Sequence, residues 1–345
     1  MMMKNILNKH KIIRYAIAMA VLTLMVGIAE YSGEKEIIFP EMAALTIGLW
    51  ISNKRVWRIK DWQILVLMTV ASIFGLLISL YSPLHLILNI LLAFVIAGVI
   101  IVLSRSTLYP LISALILPVL LHTTSWIYPI AVFIMACILL IGKSIMQRTR
   151  ILDKFEYEPS RYPLKSTVFV WLSMAVALLF MTALGYYTGV IYIIIPPLIV
   201  SFVEFVNAKA GFRNRPVLTV LLLFLGAVIG SIFQLVGYYY LHIPMVVVAV
   251  LILFTMFALF EWLGKFFAPA GAIAIIPLLI PQEYLLLLPL QVLAGATLFI
   301  TIAMVFFQKC YKWSRAQIIY CLIPHYLISR TRSTFLRNNK KIINL

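Results

Sequence analysis

The chain is a series of long apolar stretches separated by short polar runs. A membrane-crossing helix needs about 20 apolar residues at about 1.5 Å per residue. Twelve stretches approach this length, and they predict an all-α, multi-pass membrane protein with about twelve transmembrane segments. The predicted segments are 13–31, 37–52, 64–81, 84–103, 107–123, 127–146, 166–187, 190–208, 217–238, 241–262, 267–282 and 285–307. The second, fifth and eleventh are short or broken by proline, which fits either a full crossing or a re-entrant hairpin.

The composition supports the membrane class. Of 345 residues, 64% are apolar and 11% are charged, whereas soluble proteins have about 45 to 50% and about 25%. So few charged side chains cannot cover a water-facing surface, which excludes soluble, fibrous and disordered proteins. The net charge of +17 comes from basic residues beside apolar stretches. There they set topology and contact anionic lipid rather than nucleic acid.

The positions of lysine and arginine predict the orientation, because these residues in short loops mark the cytoplasmic side. With twelve crossings and the N-terminus inside, 27 of the 28 basic residues lie in the cytoplasm and only Lys35 lies outside. Making any single segment re-entrant would move the later basic loops outside. The pattern therefore predicts a cell-membrane protein with both termini cytoplasmic.

The two halves of the chain carry similar landmarks in the same order, with offsets of 155 to 160 residues. Such an internal repeat is a strong fold signal. It predicts a tandem duplication, and two copies of six crossings each run in the same direction. The matching landmarks include Phe39-Pro40 with Ile195-Pro196, Leu84-His85 with Leu241-His242, and Pro110-x7-Pro118 with Pro269-x7-Pro277. The predicted domains are a first six-segment repeat (1–146), a cytoplasmic linker (147–165), a second six-segment repeat (166–307) and a basic cytoplasmic tail (308–345).

The proline pairs mark a candidate substrate pathway. Proline within a span frees a backbone carbonyl that hydrocarbon cannot satisfy, so the break persists only against protein or water. Parallel repeats commonly place a site between them. A cation precedes each pair, Arg105 in the first half and Lys265 in the second. A cation beside a helix N-terminus favours the binding of an anion. The alternative is a first-turn proline with a snorkelling cation. The candidate pathway residues are Arg105, Ser106, Thr107, Pro110, Ser113, Pro118, Lys265, Pro269, Gly271 and Pro277.

Two short motifs resemble a known family. Pro269-Ala270-Gly271-Ala272-Ile273-Ala274 resembles the stretch that follows the His-Pro-Pro tripeptide of the HPP family of membrane proteins, and Phe212-Arg213-Asn214-Arg215-Pro216-Val217 resembles the family's basic turn. The resemblance extends over most of 39–145 and 196–307. Family members with an assigned role are linked to nitrite transport, which implies a small-anion transporter. Neither half keeps an intact His-Pro-Pro tripeptide.

Three acidic residues lie in or near the predicted spans. Glu204 is the candidate for proton coupling, because an intramembrane carboxylate is a functional candidate by default; the alternative is a carboxylate that reaches the inner interface. Glu41 follows Pro40, where it favours a helix N-terminus, and a structural role is expected. Glu261 is expected to pair with Lys265, four residues on.

His85 and His242 occupy matching positions at the predicted outer mouth. Imidazoles there would sense pH or attract an anion when protonated. The alternative is that both are ordinary interfacial side chains.

The basic tail carries eight lysines and arginines and no acid. It is expected to lie on the anionic inner leaflet, held by apolar burial and by charge.

Enzyme signatures are absent from the sequence: there is no phosphate-binding loop, metal-binding His-Glu-x-x-His helix or nucleophile elbow. The three cysteines have no spacing typical of a disulfide framework or zinc site. The sequence therefore predicts a transporter or channel rather than an enzyme, with no catalytic residue, metal or cofactor. A small anion is the favoured solute and inner-leaflet lipids are the other partners; the alternative is a membrane scaffold or lipid-interacting protein.

Overall fold

The computed structural model describes residues 2–52, 56–154, 157–160, 162–207 and 215–310, and every regular element in these ranges is helical. The predicted tail from 311 onward and the basic turn at 208–214 lie outside the described residues. The helices are α1 (Met2–Ser32), α2 (Glu41–Thr46), α3 (Asp61–Tyr81), α4 (Leu86–Leu103), α5 (Pro110–Leu120), α6 (Ile127–Arg148), α7 (Leu164–Thr188), α8 (Pro196–Asn207), α9 (Pro216–Ile232), α10 (Met245–Leu263), α11 (Ala268–Ile275), α12 (Gln282–Leu285) and α13 (Leu288–Cys310).

Eight helices within these ranges are long and apolar enough to cross a membrane, namely α1, α3, α4, α6, α7, α9, α10 and α13. Each also exposes large apolar side chains, such as Leu24 of α1, Phe133 of α6 and Phe254 of α10. Long helices with apolar outer faces suit a hydrocarbon solvent, in which each helix satisfies its own backbone hydrogen bonds. The protein is therefore a multi-pass membrane protein.

The short helices α2, α5, α8 and α11 occupy the buried centre of the described structure. Every residue of α2, α5 and α11 is buried, as are ten of the twelve residues of α8. α2 continues into a π turn, Ile47–Ile51, and α11 into a 3₁₀ turn, Ile276–Leu278. α2 packs against α11, and α5 packs against α8. The second, fifth and eleventh predicted segments are thus short helices, and so is the eighth, which the sequence had indicated as an ordinary span.

The first long helix of each half packs against the other half. α1 lies along α10, and α7 lies along α4. At one end of the α1–α10 contact, the Lys11 ammonium lies 2.6 Å from the Glu261 carboxylate. At the other, the Glu30 carboxylate accepts hydrogen bonds from the N–H groups of Met245 (2.7 Å) and Val246 (2.9 Å). The expected Glu261–Lys265 pair is wrong, because the packing of α1 against α10 brings Lys11 to Glu261 instead.

Two glycines allow long helices to touch short ones through their backbones. A Cβ on Gly75 of α3 would lie 2.4 Å from the Leu115 carbonyl oxygen, and one on Gly230 of α9 would lie 2.2 Å from the Ala274 carbonyl oxygen. The ring of Pro118 or Pro277 closes each contact, at 2.6 and 2.8 Å from the same Cβ positions. The sequence position of each proline therefore coincides with a close helix crossing.

Many charged groups gather at one end of the bundle, which we call the basic end. There the N-terminal part of α1 meets the C-terminus of α10, and the start of α3 meets the end of α6 through a Lys143–Asp61 ion pair. Trp50, at the end of the π turn, connects these two regions because its ring packs on Gly142 and its carbonyl oxygen accepts a hydrogen bond from Arg14.

Candidate functional site

The centre of the molecule contains a buried carboxyl group, Glu41. Glu41 is the first residue of α2 and is 1% exposed. Its Oε1 atom accepts a hydrogen bond from the hydroxyl of Ser113 in α5. Its Oε2 atom is buried and has no hydrogen-bond partner among the described residues. Ser113, a predicted pathway residue, is thus brought to an acid for which the sequence had suggested only a structural role.

Local backbone geometry places Glu41 deep in the bundle. The chain returns from the end of α1 through a 3₁₀ turn, Lys35–Ile37, and Pro40 then begins α2. The N–H of Phe39 lies 3.3 Å from the Met25 sulfur of α1. At about 1.5 Å per residue, this level is about 10 Å from Ser32 and about 24 Å from Lys9 along α1. Glu41 is therefore well inside the apolar layer.

An aromatic side chain closes the pocket around the acid. The ring of Tyr128, near the start of α6, packs edge-on against Phe39 with the ring centroids 6.3 Å apart. Its hydroxyl donates a 2.9 Å hydrogen bond to the Ala114 carbonyl oxygen. Tyr128 thus joins α6 to α5 beside the Glu41–Ser113 contact.

The predicted residues 105–107 form an ordered turn at the basic end rather than part of the centre. Arg105 is exposed and adopts a positive φ of 50°. Ser106 is fully buried, and its hydroxyl lies 2.9 Å from that of Ser104. The Thr107 hydroxyl accepts a 2.7 Å hydrogen bond from the N–H of Arg58. The polar groups of this turn therefore tie α4 to the loop before α3.

The linker also contributes to this turn. The N–H of Ser160 donates to the Arg105 carbonyl oxygen at 3.0 Å, and the Tyr162 hydroxyl donates to the Ser106 carbonyl oxygen. Burial raises the pKa of the Tyr162 phenol, so it remains a donor at neutral pH. The predicted linker is thus packed onto the basic end where the structure describes it.

In the second half, the predicted pathway residues pack tightly. Lys265 is half-buried, just after Gly264 ends α10 in a left-handed conformation. Pro269 lies in the first turn of α11, where its missing N–H is not needed. A Cβ on Gly271 would lie 2.2 Å from the Cδ1 atom of Ile47, so α11 meets the π turn after α2 with no space between them.

A small apolar cavity lies where the end of α5, the start of α8 and the turn after α11 meet. Its volume is about 10 Å³, and its lining includes Leu117, Tyr192 and Ile276. That volume is at the lower limit for one water molecule, and a water also needs two to four polar partners. This cavity therefore has no room for a solute larger than water.

A larger cavity of about 300 Å³ opens at the basic end of the first half. Its lining combines Trp57 and Trp62 with Lys60, Asp61 and Lys143. Sequence reasoning missed this site, although tryptophans beside lysines in one turn were a visible signal.

Two contacts shape the walls of this cavity. The Lys60 ammonium lies 5.2 Å from the centroid of the Tyr157 ring in the linker. The indole N–H of Trp57 donates a 3.0 Å hydrogen bond to Oε1 of Glu204 in α8. The proton-coupling candidate, Glu204, therefore lies behind the cavity wall, hydrogen-bonded to the lining residue Trp57.

Two further buried polar side chains were missed in the second half. Ser231 and Gln234 lie where α9 passes into a π turn, Phe233–Tyr240. The Ser231 Oγ and Gln234 Oε1 atoms are buried without hydrogen-bond partners among the described residues. Such π turns are frequent at functional sites, and a lone glutamine in an apolar span was the available sequence signal.

The two predicted mouth histidines are both exposed and lie in turns at the opposite end. His85 precedes α4 and packs edge-on against Tyr186 of α7, with ring centroids 4.4 Å apart. His242 precedes α10 and adopts a positive φ of 51°. Each histidine therefore belongs to a junction between a helix of one half and the first helix of the other.

In the described ranges, no three His, Cys, Asp or Glu side chains come together. Models of protein families, curated proteins and solved structures all fail to match the chain. The resemblance to the HPP family therefore stays a prediction from two short motifs.

Proposed function

We propose that the protein is a cell-membrane transporter for a small anion, built from two parallel six-crossing repeats with both termini cytoplasmic. In this protein twelve crossings, a duplication and a substrate path through the centre would occur together. Each is supported by different contacts.

Twelve crossings are supported by where the short segments begin and end. Segment 37–52 starts beyond the outer end of α1, passes Met25 at Phe39, and ends where Arg14 contacts Trp50 near the basic end. Segment 107–123 starts at the basic end beside Arg58 and then runs past Gly75 toward the other end of α3. In the proposal, each of these two segments crosses the membrane as an extended stretch plus a short helix.

The duplication is supported by matched packing. The same order of long and short helices occurs in 2–148 and in 164–310. The Gly75–Pro118 contact has a counterpart in Gly230–Pro277, and the α1–α10 contact has a counterpart in α7–α4. Two copies of one ancestral unit, each exchanging its first helix, account for this arrangement.

One observation carries the transport proposal: short helices broken at proline meet at membrane depth beside a buried acid, Glu41. Irregular backbone at this depth occurs where it is enclosed by protein or lines a cavity. Transporters typically build their substrate and ion sites from such discontinuous helices. In the proposal, this conformation is closed, and movement of α5 and α11 against α8 and α2 opens the path.

An anion is favoured by the charges around the path. Arg105, Lys265, Lys60 and Lys143 lie at the basic end, and the 300 Å³ cavity there forms the vestibule in this scheme. In the lining of this cavity two lysines, Lys60 and Lys143, outnumber the acid Asp61, and a cleft of net positive charge concentrates anions. The family resemblance to nitrite transporters points the same way.

The second candidate is a membrane scaffold or lipid-interacting protein. The specific observation in its favour is close packing: every residue of α2, α5 and α11 is buried, and the cavity where α5, α8 and the turn after α11 meet has a volume of only about 10 Å³. A scaffold requires no movement of the short helices, whereas a transporter does.

The deciding experiment measures flux of nitrite, nitrate and formate into proteoliposomes containing the purified full chain. Wild-type protein should carry at least one of these anions faster than empty liposomes. The double variant Arg105→Gln, Lys265→Gln should lose most of that flux, because it removes the positive potential at the basic end. The control, Arg150→Gln with Lys154→Gln, removes two charges from the linker and should keep it. No flux of any anion with folded wild-type protein would favour the scaffold.

A further inference from the structure

The Glu41 carboxyl group has an unusual environment for a charged side chain. It is 1% exposed, and Oε2 has no hydrogen-bond partner among the described residues. The neighbour on Oε1, Ser113, is a neutral hydroxyl. An ionised carboxylate deep in an apolar interior is costly unless a cation or several donors compensate it.

The elements that pack against α2 in the described part of the chain supply no such cation. From α6, the titratable group that faces Glu41 is the phenol of Tyr128. From α1, Arg14 lies beyond the far end of the π turn, where it contacts the Trp50 carbonyl oxygen. In the preceding 3₁₀ turn, Lys35 and Glu36 lie five or more residues away toward the opposite end. α5 and α11 contribute no titratable residue at all.

We propose that Glu41 carries a proton in this conformation and that Glu41 and Ser113 together form a reversible proton-binding site at the centre of the molecule. The coupling of this site to solute movement rests on the transport function proposed above. A neutral carboxyl group needs no cation, and its unpaired oxygen costs less to bury than that of a carboxylate.

The position of the acid links its protonation to the packing of α2 against α5. The protonated group stays in the closed centre, joined to Ser113. When α5 moves away and water reaches the pocket, the carboxyl O–H bond breaks heterolytically, the electron pair stays on the carboxylate, and the proton passes to water. The carboxylate then favours the hydrated, open arrangement until it binds another proton. Closure therefore takes up one proton and opening releases one.

Glu204 has a different environment. Its Oε1 accepts the Trp57 indole N–H, and Trp57 lines the cavity at the basic end. Glu41 is the less exposed of the two acids, and it contacts Ser113 of the candidate pathway.

Infrared spectra of the wild-type protein and its variants, compared as differences, test whether Glu41 is protonated. The measurement needs no known solute. The full chain is reconstituted in lipid nanodiscs at about pH 7.5, where exposed carboxyl groups are ionised. Wild-type protein should show a protonated-carboxyl band that is lost in Glu41→Gln. The amide of this variant matches the neutral acid in size, so the variant should fold. Ser113→Ala should shift the band, because it removes the hydrogen bond to Oε1.

Two controls assign the band. Glu283→Gln, which replaces an exposed acid in α12, should leave it unchanged. Glu204→Gln should also leave the Glu41 band in place. If wild-type protein shows no such band, or if Glu41→Gln keeps the whole of it, the proton site does not exist.

A transport measurement distinguishes the proton site at Glu41 from the proposed transport function. For an anion that wild-type protein carries, Glu41→Gln should keep exchange of labelled for unlabelled anion but lose accumulation driven by a pH gradient. Accumulation equal to wild type would overturn the coupling. A Glu41 band in a protein that carries no anion would confirm the proton site while overturning the transport function.

Discussion

At the scale of single residues, glycine and proline decide where the helices of this protein touch. Gly75 and Gly230 each face a backbone carbonyl oxygen of a short helix at 2.4 and 2.2 Å from the position of a Cβ. Membrane helices associate through such small residues because lipid gives no hydrophobic drive for helix pairing. These glycines and the prolines opposite them are visible in the sequence. The contacts between them could be identified only in the three-dimensional structure.

A methyl group added at either glycine should separate the helices. We expect Gly75→Ala and Gly230→Ala each to lower the free energy of unfolding by about 1–3 kcal/mol, since overpacking against backbone has no easy relief. Gly27→Ala is the matched control, because its Cβ would meet a side-chain methyl of Val246 at 3.2 Å. Unfolding in detergent, followed by circular dichroism, measures all three. Equal midpoints for the three variants would contradict the backbone contacts.

At the scale of elements, the exchange of first helices between the halves is the feature that local patterns do not reveal. α1 and α7 are apolar on most sides, so their sequences do not show which face meets protein. Two carboxylates fix the pairing of α1 with α10. Glu30 of α1 accepts a hydrogen bond from the start of α10, and Glu261 of α10 accepts one from Lys11 of α1. Each contact joins residues more than 200 positions apart in sequence. The charges themselves were visible, and the expected local partner of Glu261 was wrong because a distant lysine lies closer.

A disulfide should form between α1 and α10. Gly27→Cys with Val246→Cys places two thiols at adjoining positions, because a Cβ at 27 lies 3.2 Å from Cγ2 of Val246. The three native cysteines are first replaced by serine. Mild oxidation followed by protease cleavage in the linker should leave the two halves joined on a non-reducing gel.

The control for this crosslink pairs Gly27→Cys with Val176→Cys, which is an exposed position in α7 of the other half. It should give separate fragments. Separate fragments from the Gly27→Cys, Val246→Cys pair as well would mean that α1 does not lie along α10.

At the scale of the whole molecule, the distribution of charge and the length of the short segments together decide topology. Asp61 and Lys143 meet at the same end as Lys11 and Glu261. The predicted orientation places this end in the cytoplasm, because lysine and arginine in short loops are retained there. A re-entrant second segment would instead put Lys35 and Arg58 on one side.

Cysteine labelling in intact cells checks this topology. In a background without native cysteines, Lys35→Cys should react with a membrane-impermeant maleimide, whereas Arg58→Cys and Arg105→Cys should react only after permeabilisation. All three positions are exposed in the structure, so a lack of reaction reports sidedness rather than burial. Labelling of Arg58→Cys in intact cells would mean that segment 37–52 does not cross.

The sequence alone determined the membrane class, the approximate limits of the long helices and the sites of the proline breaks. These properties depend on the length of the apolar stretches and on the backbone N–H groups that proline lacks. Both are local features of the sequence. Segment 64–81 became α3 at Asp61–Tyr81, and segment 107–123 became α5 at Pro110–Leu120. Only the tertiary structure decided that Ser113 meets Glu41 and that the centre is packed. In lipid almost every helix face is apolar, so the choice of neighbours depends on shape and on a few polar contacts between distant parts of the chain.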